Sequence, residues 1–336
     1  MFEDHSDAPA STQRRKALGV LGAGTFAMLA APFGRALAAD WPRHPINYVV
    51  PFPAGGLTDV AARQVGKALA TAEDWNIVIE NKPGGSANIG ASYVARSTPD
   101  GLTWLAITLS HAANATLFEG KAGYDLMQDL TPLAGIASSP MMVVVNAKSD
   151  IKTMDDLARA ATARSLAAGS SGNGTPPHLT LALYQSLTGA TLLHVPYKGG
   201  APSLTDLIGG QIDVVFSNYP ESLPHVKSGA LRALAISGKA RSPELPDVPT
   251  VAEVGLPDLV VENFTGVLGP AGMPADVVER IGNAIVGQVR QPDMQASLAR
   301  LGFVAQPRGP AEFKQYLGGE VARWSRIIRQ ANIQAG

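Results

Sequence analysis

Three short stretches, rich in glycine and in small hydroxyl or amide side chains, carry the chemistry of this sequence. The first is Pro51-Phe52-Pro53-Ala54-Gly55-Gly56-Leu57-Thr58-Asp59. The second is Gly169-Ser170-Ser171-Gly172-Asn173-Gly174-Thr175-Pro176, and the third is Pro196-Tyr197-Lys198-Gly199-Gly200-Ala201-Pro202. Each separates a strand-like run from a helical one. A turn of this kind leaves unpaired backbone N–H groups at a helix N-terminus. Such groups, helped by the helix dipole, bind anions without a cationic side chain. Thr175 suits an N-cap and Pro176 the first helical position. Glycines also serve tight turns for their own sake, but three such turns rich in Ser, Thr and Asn favour anion capture.

Other chemistries find no support. There is no Gly-x-Ser-x-Gly elbow, so Ser170 and Ser171 do not read as hydrolase nucleophiles. There is no Gly-x-x-x-x-Gly-Lys phosphate loop and no His-Glu-x-x-His. Histidines at 5, 44, 111, 178, 194 and 225 show no paired ligand spacing on a helix, so no metal site and no cofactor are expected. Asp59 reads as a first-turn helix carboxylate, and Asp213 as the organiser of a strand end. His178 stands in the first turn of a helix, either touching a ligand or making a structural hydrogen bond. Tyr197 and Tyr219 either shape a pocket or pack in its surroundings. Lys198 is the one cation in the three turns.

The elements that must position these turns alternate along the chain. Strands are predicted at 46–50, 77–80, 102–107, 141–145, 166–168, 192–195, 212–216, 231–236 and 264–268, from β-branched and apolar runs. Helices are predicted at 58–70, 88–95 and 154–163, around 179–187, before 208, and at 275–291, 292–301 and 310–330. The alternation predicts α/β layers with mostly parallel sheets, whose ligands bind at the carboxyl ends of strands.

Composition sets the outer bounds. The 336 residues are 46% hydrophobic and 16% charged, which excludes a disordered chain and suggests about two domains. Lys plus Arg number 27 against 28 Asp plus Glu, a balance that excludes nucleic acid as a partner. The absence of cysteine excludes disulfides and thiol chemistry. Residues 1–39 read as a cleaved export signal: Arg14-Arg15-Lys16, then an apolar run, then Ala36-Leu37-Ala38-Ala39. The arginine pair before a mild apolar run fits the twin-arginine type. Gly19, Gly22 and Gly24 imitate a dinucleotide loop, but no strand precedes them. The mature protein is expected in the periplasm.

The motifs taken together resemble the Bug family, the periplasmic substrate-binding components of tripartite tricarboxylate transporters. The resemblance begins at Val49-Val50-Pro51-Phe52-Pro53-Ala54-Gly55-Gly56 with Thr58-Asp59. It continues through Glu80-Asn81-Lys82-Pro83-Gly84-Gly85, Asn88-Ile89-Gly90, Pro99-Asp100-Gly101 and Gly169-Ser170-Ser171-Gly172-Asn173-Gly174-Thr175 with His178. His194-Val195-Pro196-Tyr197-Lys198-Gly199, Leu207-Ile208-Gly209-Gly210-Gln211-Ile212-Asp213, Ser242-Pro243 and Pro246-Asp247-Val248-Pro249-Thr250 complete it. One departure stands out: His111-Ala112-Ala113-Asn114-Ala115 lacks the Asn-Pro that members often carry there.

The resemblance implies a type II periplasmic-binding-protein fold, with two lobes of mixed, mostly parallel sheets joined by two crossing strands. The crossings are expected near 141–145 and 263–269. Lobe one is then 40–142 plus 264–336, and lobe two 143–263. It also implies a monomer that binds a small carboxylate without a salt bridge, partly through ordered waters, and delivers it to a membrane permease. A receptor that reports the solute to a membrane sensor kinase would look the same. By matching position, Phe52 and Ala54 would hold waters through backbone groups, and Gly55 and Gly56 would allow close approach. Ser171, Asn173, Gly174 and Thr175 would take the carboxylate. Ser110, His178, Tyr197 and Tyr219 complete the expected set of ligand-binding residues.

Overall fold

Strand and helix alternate through most of the chain. The computed structural model describes residues 41–335, so the export signal expected over 1–39 lies outside the described residues. In order, the elements are β1 (Ile46–Val50), α1 (Leu57–Glu73), β2 (Ile77–Asn81), α2 (Asn88–Ala95), β3 (Thr103–Thr108), α3 (Leu109–Leu117) and β4 (Leu130–Asn146). There follow α4 (Met154–Ala163), β5 (Leu166–Ser170), α5 (Pro176–Thr188), β6 (Leu192–Pro196), α6 (Gly200–Ile208), β7 (Val214–Asn218), α7 (Tyr219–Lys227) and β8 (Leu231–Ile236). The chain closes with β9 (Glu262–Pro270), α8 (Ala275–Val289), α9 (Pro292–Arg300), β10 (Val304–Arg308) and α10 (Pro310–Gln330).

The sheet is mixed, and its strand order is β2-β1-β3-β9-β4-β7-β5-β6, with β8 and β10 also on β4. The parallel pairs are β1 with β2 and β3, and β5 with β6 and β7. These are the strands joined by crossover helices, as the alternation predicted. Around β4 and β9 the pairing is antiparallel.

β4 organises the molecule. Its first half pairs with β9, from Leu130 opposite Pro270 to Pro140 opposite Glu262. Its second half pairs with β7, from Met141 opposite Asn218 to Val145 opposite Val214, and with β8 on the other side. The partner change falls between Pro140 and Met141, so 141–145 is the second half of a longer strand rather than a short strand of its own. β9 stays wholly with β3 and β4. The chain therefore returns from the second group of strands through 237–261, and not within β9 as expected. Ser237 pins that return, its hydroxyl accepting from the Met141 N–H at 2.7 Å and donating to the Val261 carbonyl.

Both faces of β4 are covered. Met141, Val143 and Val145 join one apolar core, and Met142 and Val144 join another, the alternation a strand imposes. β1 is buried almost throughout, with Ile46, Tyr48, Val49 and Val50 all at 0% exposure. α1 turns Ala61, Ala62, Val65 and Leu69 inward. A Cβ at Gly266 of β9 would strike the Phe313 ring of α10, so glycine there sets how closely helix and sheet approach.

Three elements escaped the sequence: α3, α7 and β10. Residues 109–114 of α3 are all buried, so no amphipathic stripe marks the helix. α7 carries Pro220 in its first turn and Pro224 inside, residues that read as loop. The first half of β4 carries Pro132, Gly135 and Pro140, and its register shifts twice in that stretch. Bulges tolerate what a regular central strand would not.

Candidate functional site

The three glycine-rich turns follow β1, β5 and β6, at the carboxyl ends of parallel strands, and they meet around one cavity of about 920 Å³. Phe52, Ala54, Gly55, Gly56, Ser171, Asn173 and Thr175, all expected from the sequence, line it. Lys198 and Gly200 line it as well. Ser110, Gly174, His178, Tyr197 and Tyr219 do not, and each has a physical reason to be elsewhere.

The first turn is held by Asp59. Gly55, at φ +79°, donates its N–H to Asp59 Oδ2 at 2.9 Å. Arg63 adds Nε at 2.8 Å and Nη2 at 2.9 Å, and Asn81 adds Nδ2 at 2.9 Å. Asn81 also donates to the Phe52 carbonyl at 3.1 Å. Burial alone would raise the Asp59 pKa, but hydrogen bonds from Arg63, Gly55 and Asn81 outweigh it and hold the carboxyl below its usual range. Asp59 thus shapes the turn. The first-turn N–H groups of α1 have no intrahelical partner, and Leu57 and Thr58 of that turn line the cavity.

The second turn has fewer donors than its glycines suggest. Pro176 and Pro177 open α5 and bring no N–H. The Gly174 N–H donates to His178 Nδ1 at 3.1 Å, which draws both residues behind the turn. Thr175 donates its hydroxyl to the Gly172 carbonyl at 2.6 Å, and Gly172 N–H donates to Ser170 Oγ at 3.1 Å. Ser170 Oγ also lies 2.7 Å from His194 Nε2, and the His194 ring stacks on His178 at 4.2 Å between centroids and 11° between planes. Burial, then the neighbouring His194, lowers the His178 pKa to about 4, so its imidazole is a neutral acceptor. The turn presents Ser171, Asn173 and Thr175 to the cavity, three of the four residues expected there to take a carboxylate.

In the third turn, Gly199 at φ +116° precedes α6. A Cβ at Gly200 would collide with the carboxylate of Glu221, so the absent side chain makes room for that acid. Tyr197 and Tyr219 are tied elsewhere. The Tyr197 hydroxyl donates to Asp206 Oδ2 at 2.7 Å, and the Tyr219 hydroxyl lies 2.5 Å from Ser242 Oγ. Ser110 is buried within α3. His111 beside it joins Thr108 in a reciprocal cap, and burial lowers its pKa to about 4.

Sequence reasoning missed several lining residues: Thr108, Asn218, Glu221, His225, Asn263, and Ser86 with Ala87. Ser86 and Ala87 hold left-handed backbone, at φ 56° and 75°, a conformation costly for residues with a Cβ. Asn114 steadies it by donating Nδ2 to the Ser86 carbonyl at 2.7 Å. This is the segment that lacks the family's Asn-Pro. A signal for α7 did exist: Asn218 followed three residues later by Glu221 is an N-terminal pattern for a helix. Among the described residues no cluster of His, Asp or Glu could hold a metal ion, and no helix is long and apolar enough to cross a membrane.

Comparison with known proteins supplies the family and the fold. The model of the tripartite tricarboxylate transporter family receptor, TctC, matches residues 61–333. Protein BugT of Bordetella pertussis (strain Tohama I) is 32% identical over 313 residues, 91% of this chain and 94% of its own. The solved structure of the periplasmic binding protein BugD superposes with a TM-score of 0.82 at 28% identity, over 88% of this chain and 99% of that one. R. palustris Rpa4515 with adipate gives 0.83 at 33% identity, over 88% and 99%. The chain therefore belongs to the TctC receptors, the Bug family that its motifs resemble, and has their two-lobed periplasmic-binding fold.

Proposed function

We propose that this protein captures a small carboxylate-bearing solute in the periplasm, between its two lobes, and delivers it to a tripartite tricarboxylate-type permease without altering it. The convergence of three glycine-rich turns on one cavity of about 920 Å³ carries this reading. That volume suits a small-molecule ligand. One turn comes from the strands on the β9 side of β4 and two from the strands on the β7 side. A ligand touching all three would hold the two groups together, which favours a closed state. The partner change at Pro140–Met141 and the return through 237–261 support two lobes divided just before Met141 and just before β9, within a few residues of the expected bounds of 40–142 plus 264–336 and of 143–263. The adipate held by a structural neighbour supports a carboxylate ligand. Gly55, Gly56, Ser171, Asn173 and Thr175 would contact it, with Phe52 and Ala54 acting through backbone groups.

A thermal-shift screen of the mature chain against mono-, di- and tricarboxylic acids tests the reading. A ligand at 100 times its Kd adds about 2.7 kcal/mol of stability. Uptake of the labelled hit should then fall in cells deleted for this gene. Binding without any uptake defect would argue for a sensory receptor. Replacing Arg14 and Arg15 with Lys should leave the precursor in the cytoplasm, and normal export would exclude the twin-arginine route.

A further inference from the structure

An anion receptor that places an acid in its own cavity has to account for that acid. Glu221 sits in the first turn of α7 and lines the cavity, with His225 four residues on. Asn218 Nδ2 donates to Glu221 Oε2 at 3.0 Å. Asn218 is itself oriented, because its Oδ1 accepts from Asn263 Nδ2 at 3.2 Å. A carboxylate can take about four hydrogen bonds. Among the described residues Asn218 is the one side-chain donor that reaches this one.

Among the described residues no cation pairs with it. Lys198 and His225 share the cavity, yet neither forms an ion pair with Glu221, and Lys227 of the same helix pairs with Glu244 instead. Burial raises the Glu221 pKa, as expected of an acid without a counter-charge. The fold nevertheless makes space for it, since any side chain at Gly200 would strike the carboxylate. A fixed acid with open acceptor positions on the cavity wall repels a simple anion. It attracts a ligand that brings a donor to the same place.

We propose that Glu221 determines specificity by receiving the ammonium of a ligand that also carries a carboxylate, so that the substrate class is amino acids rather than simple carboxylic acids. This rests on the carboxylate reading above and narrows it. An ammonium supplies donors and a compensating charge together. A hydroxyl supplies a donor alone and satisfies the site less well.

Calorimetry on the mature chain with three matched series tests the assignment: propionate, lactate and alanine; succinate, malate and aspartate; glutarate, 2-hydroxyglutarate and glutamate. Within the best-bound series the amine should bind at least tenfold tighter than the unsubstituted acid, with the hydroxy acid between. Glu221→Gln keeps an acceptor for Asn218 and removes the charge. It should weaken the amine at least tenfold while the unsubstituted acid holds or gains. If that variant fails to fold, the wild-type ranking alone decides. Equal binding of amine and unsubstituted acid overturns the assignment, as does a preference that survives in Glu221→Gln. A tight ligand without an amine, from the wider screen, overturns it and leaves the carboxylate reading standing. No binding by any carboxylate overturns both.

Discussion

Asn263 of β9 donates to Asn218 at the end of β7, Nδ2 to Oδ1 at 3.2 Å, and so links the two groups of strands at the cavity wall. Asn263 Oδ1 also accepts the Leu109 N–H at 3.3 Å. Asn263→Ala removes both bonds and leaves a buried N–H without a partner, a loss of about 1–3 kcal/mol. Urea unfolding should show it, and ligand binding should weaken because Asn218 is no longer oriented. Asn263→Asp keeps the acceptor for Leu109 but not the donor, and should recover part of the stability. An Ala variant as stable as wild type would show that the link carries nothing.

The first turn depends on Asp59. Asp59→Asn loses its charge-assisted bonds to Arg63 and weakens the hold on Gly55, costing about 1.5–3 kcal/mol. Because its folded pKa lies below the ordinary value of 3.8, its stabilisation is present above that value and is lost as pH falls below it. Denaturant midpoints at pH 7 and pH 3 should converge for wild type and variant. A constant gap between them would contradict the network.

Histidine sets a second pH dependence. His178 and His111 both have pKa values lowered to about 4, from 6.5. Between those values the unfolded chain takes up protons that the folded one refuses. Stability is therefore full above pH 6.5 and falls as pH drops towards 4, by up to about 1.4 kcal/mol per pH unit for each residue. His178→Asn, which keeps an acceptor for Gly174, should flatten the fall in thermal midpoint between pH 7.5 and 5. An unchanged slope would mean that His178 is protonated in the fold.

Glycines of the first and second turns should behave differently. Gly174 has φ +71°, and a Cβ there would lie 3.0 Å from Asn114 Oδ1. Gly174→Ala should lower stability by about 1–2 kcal/mol through backbone strain and crowding. Gly55 has φ +79° and open space around a Cβ, and it lines the cavity. Gly55→Ala should carry similar strain and also weaken binding, because the new methyl enters ligand space. Equal binding loss in both, at matched stability, would contradict the placement of Gly174 behind the turn.

Lys198 lines the cavity, and no carboxylate among the described residues pairs with it. Lys198→Met should weaken the best carboxylate by less than about tenfold, or 1.4 kcal/mol. Complete loss in calorimetry would make recognition an ion pair.

The sequence was most legible where local chemistry and tertiary role coincide. α2, α4, β8 and α10 fall where periodicity and β-branching put them. The turns were visible because glycine, threonine and proline at a strand–helix junction have few other uses. It was least legible where packing overrode local preference. Pro132 sits in a central strand beside a shift of register, and Pro140 at the point where β4 changes partners. Pro220 and Pro224 disguised α7, and with it Asn218, Glu221 and His225. Of the expected residues that do not line the cavity, Gly174 and His178 bond to each other, Tyr197 to Asp206 and Tyr219 to Ser242, pairings that neither periodicity nor motif announces.

β4 belongs to both groups of strands, and this binds the fate of one lobe to the other during folding. Neither group of strands can be completed while its half of β4 is loose, and β3 must wait for β9, some 160 residues later, before it is flanked on both sides. Such long-range closure slows folding. It also makes the protein a poor candidate for dissection: cutting between Pro140 and Met141 would give two fragments that each lack a central strand segment. Loss of either lobe should therefore appear as one cooperative unfolding event, with no half-folded form that keeps one wall of the cavity.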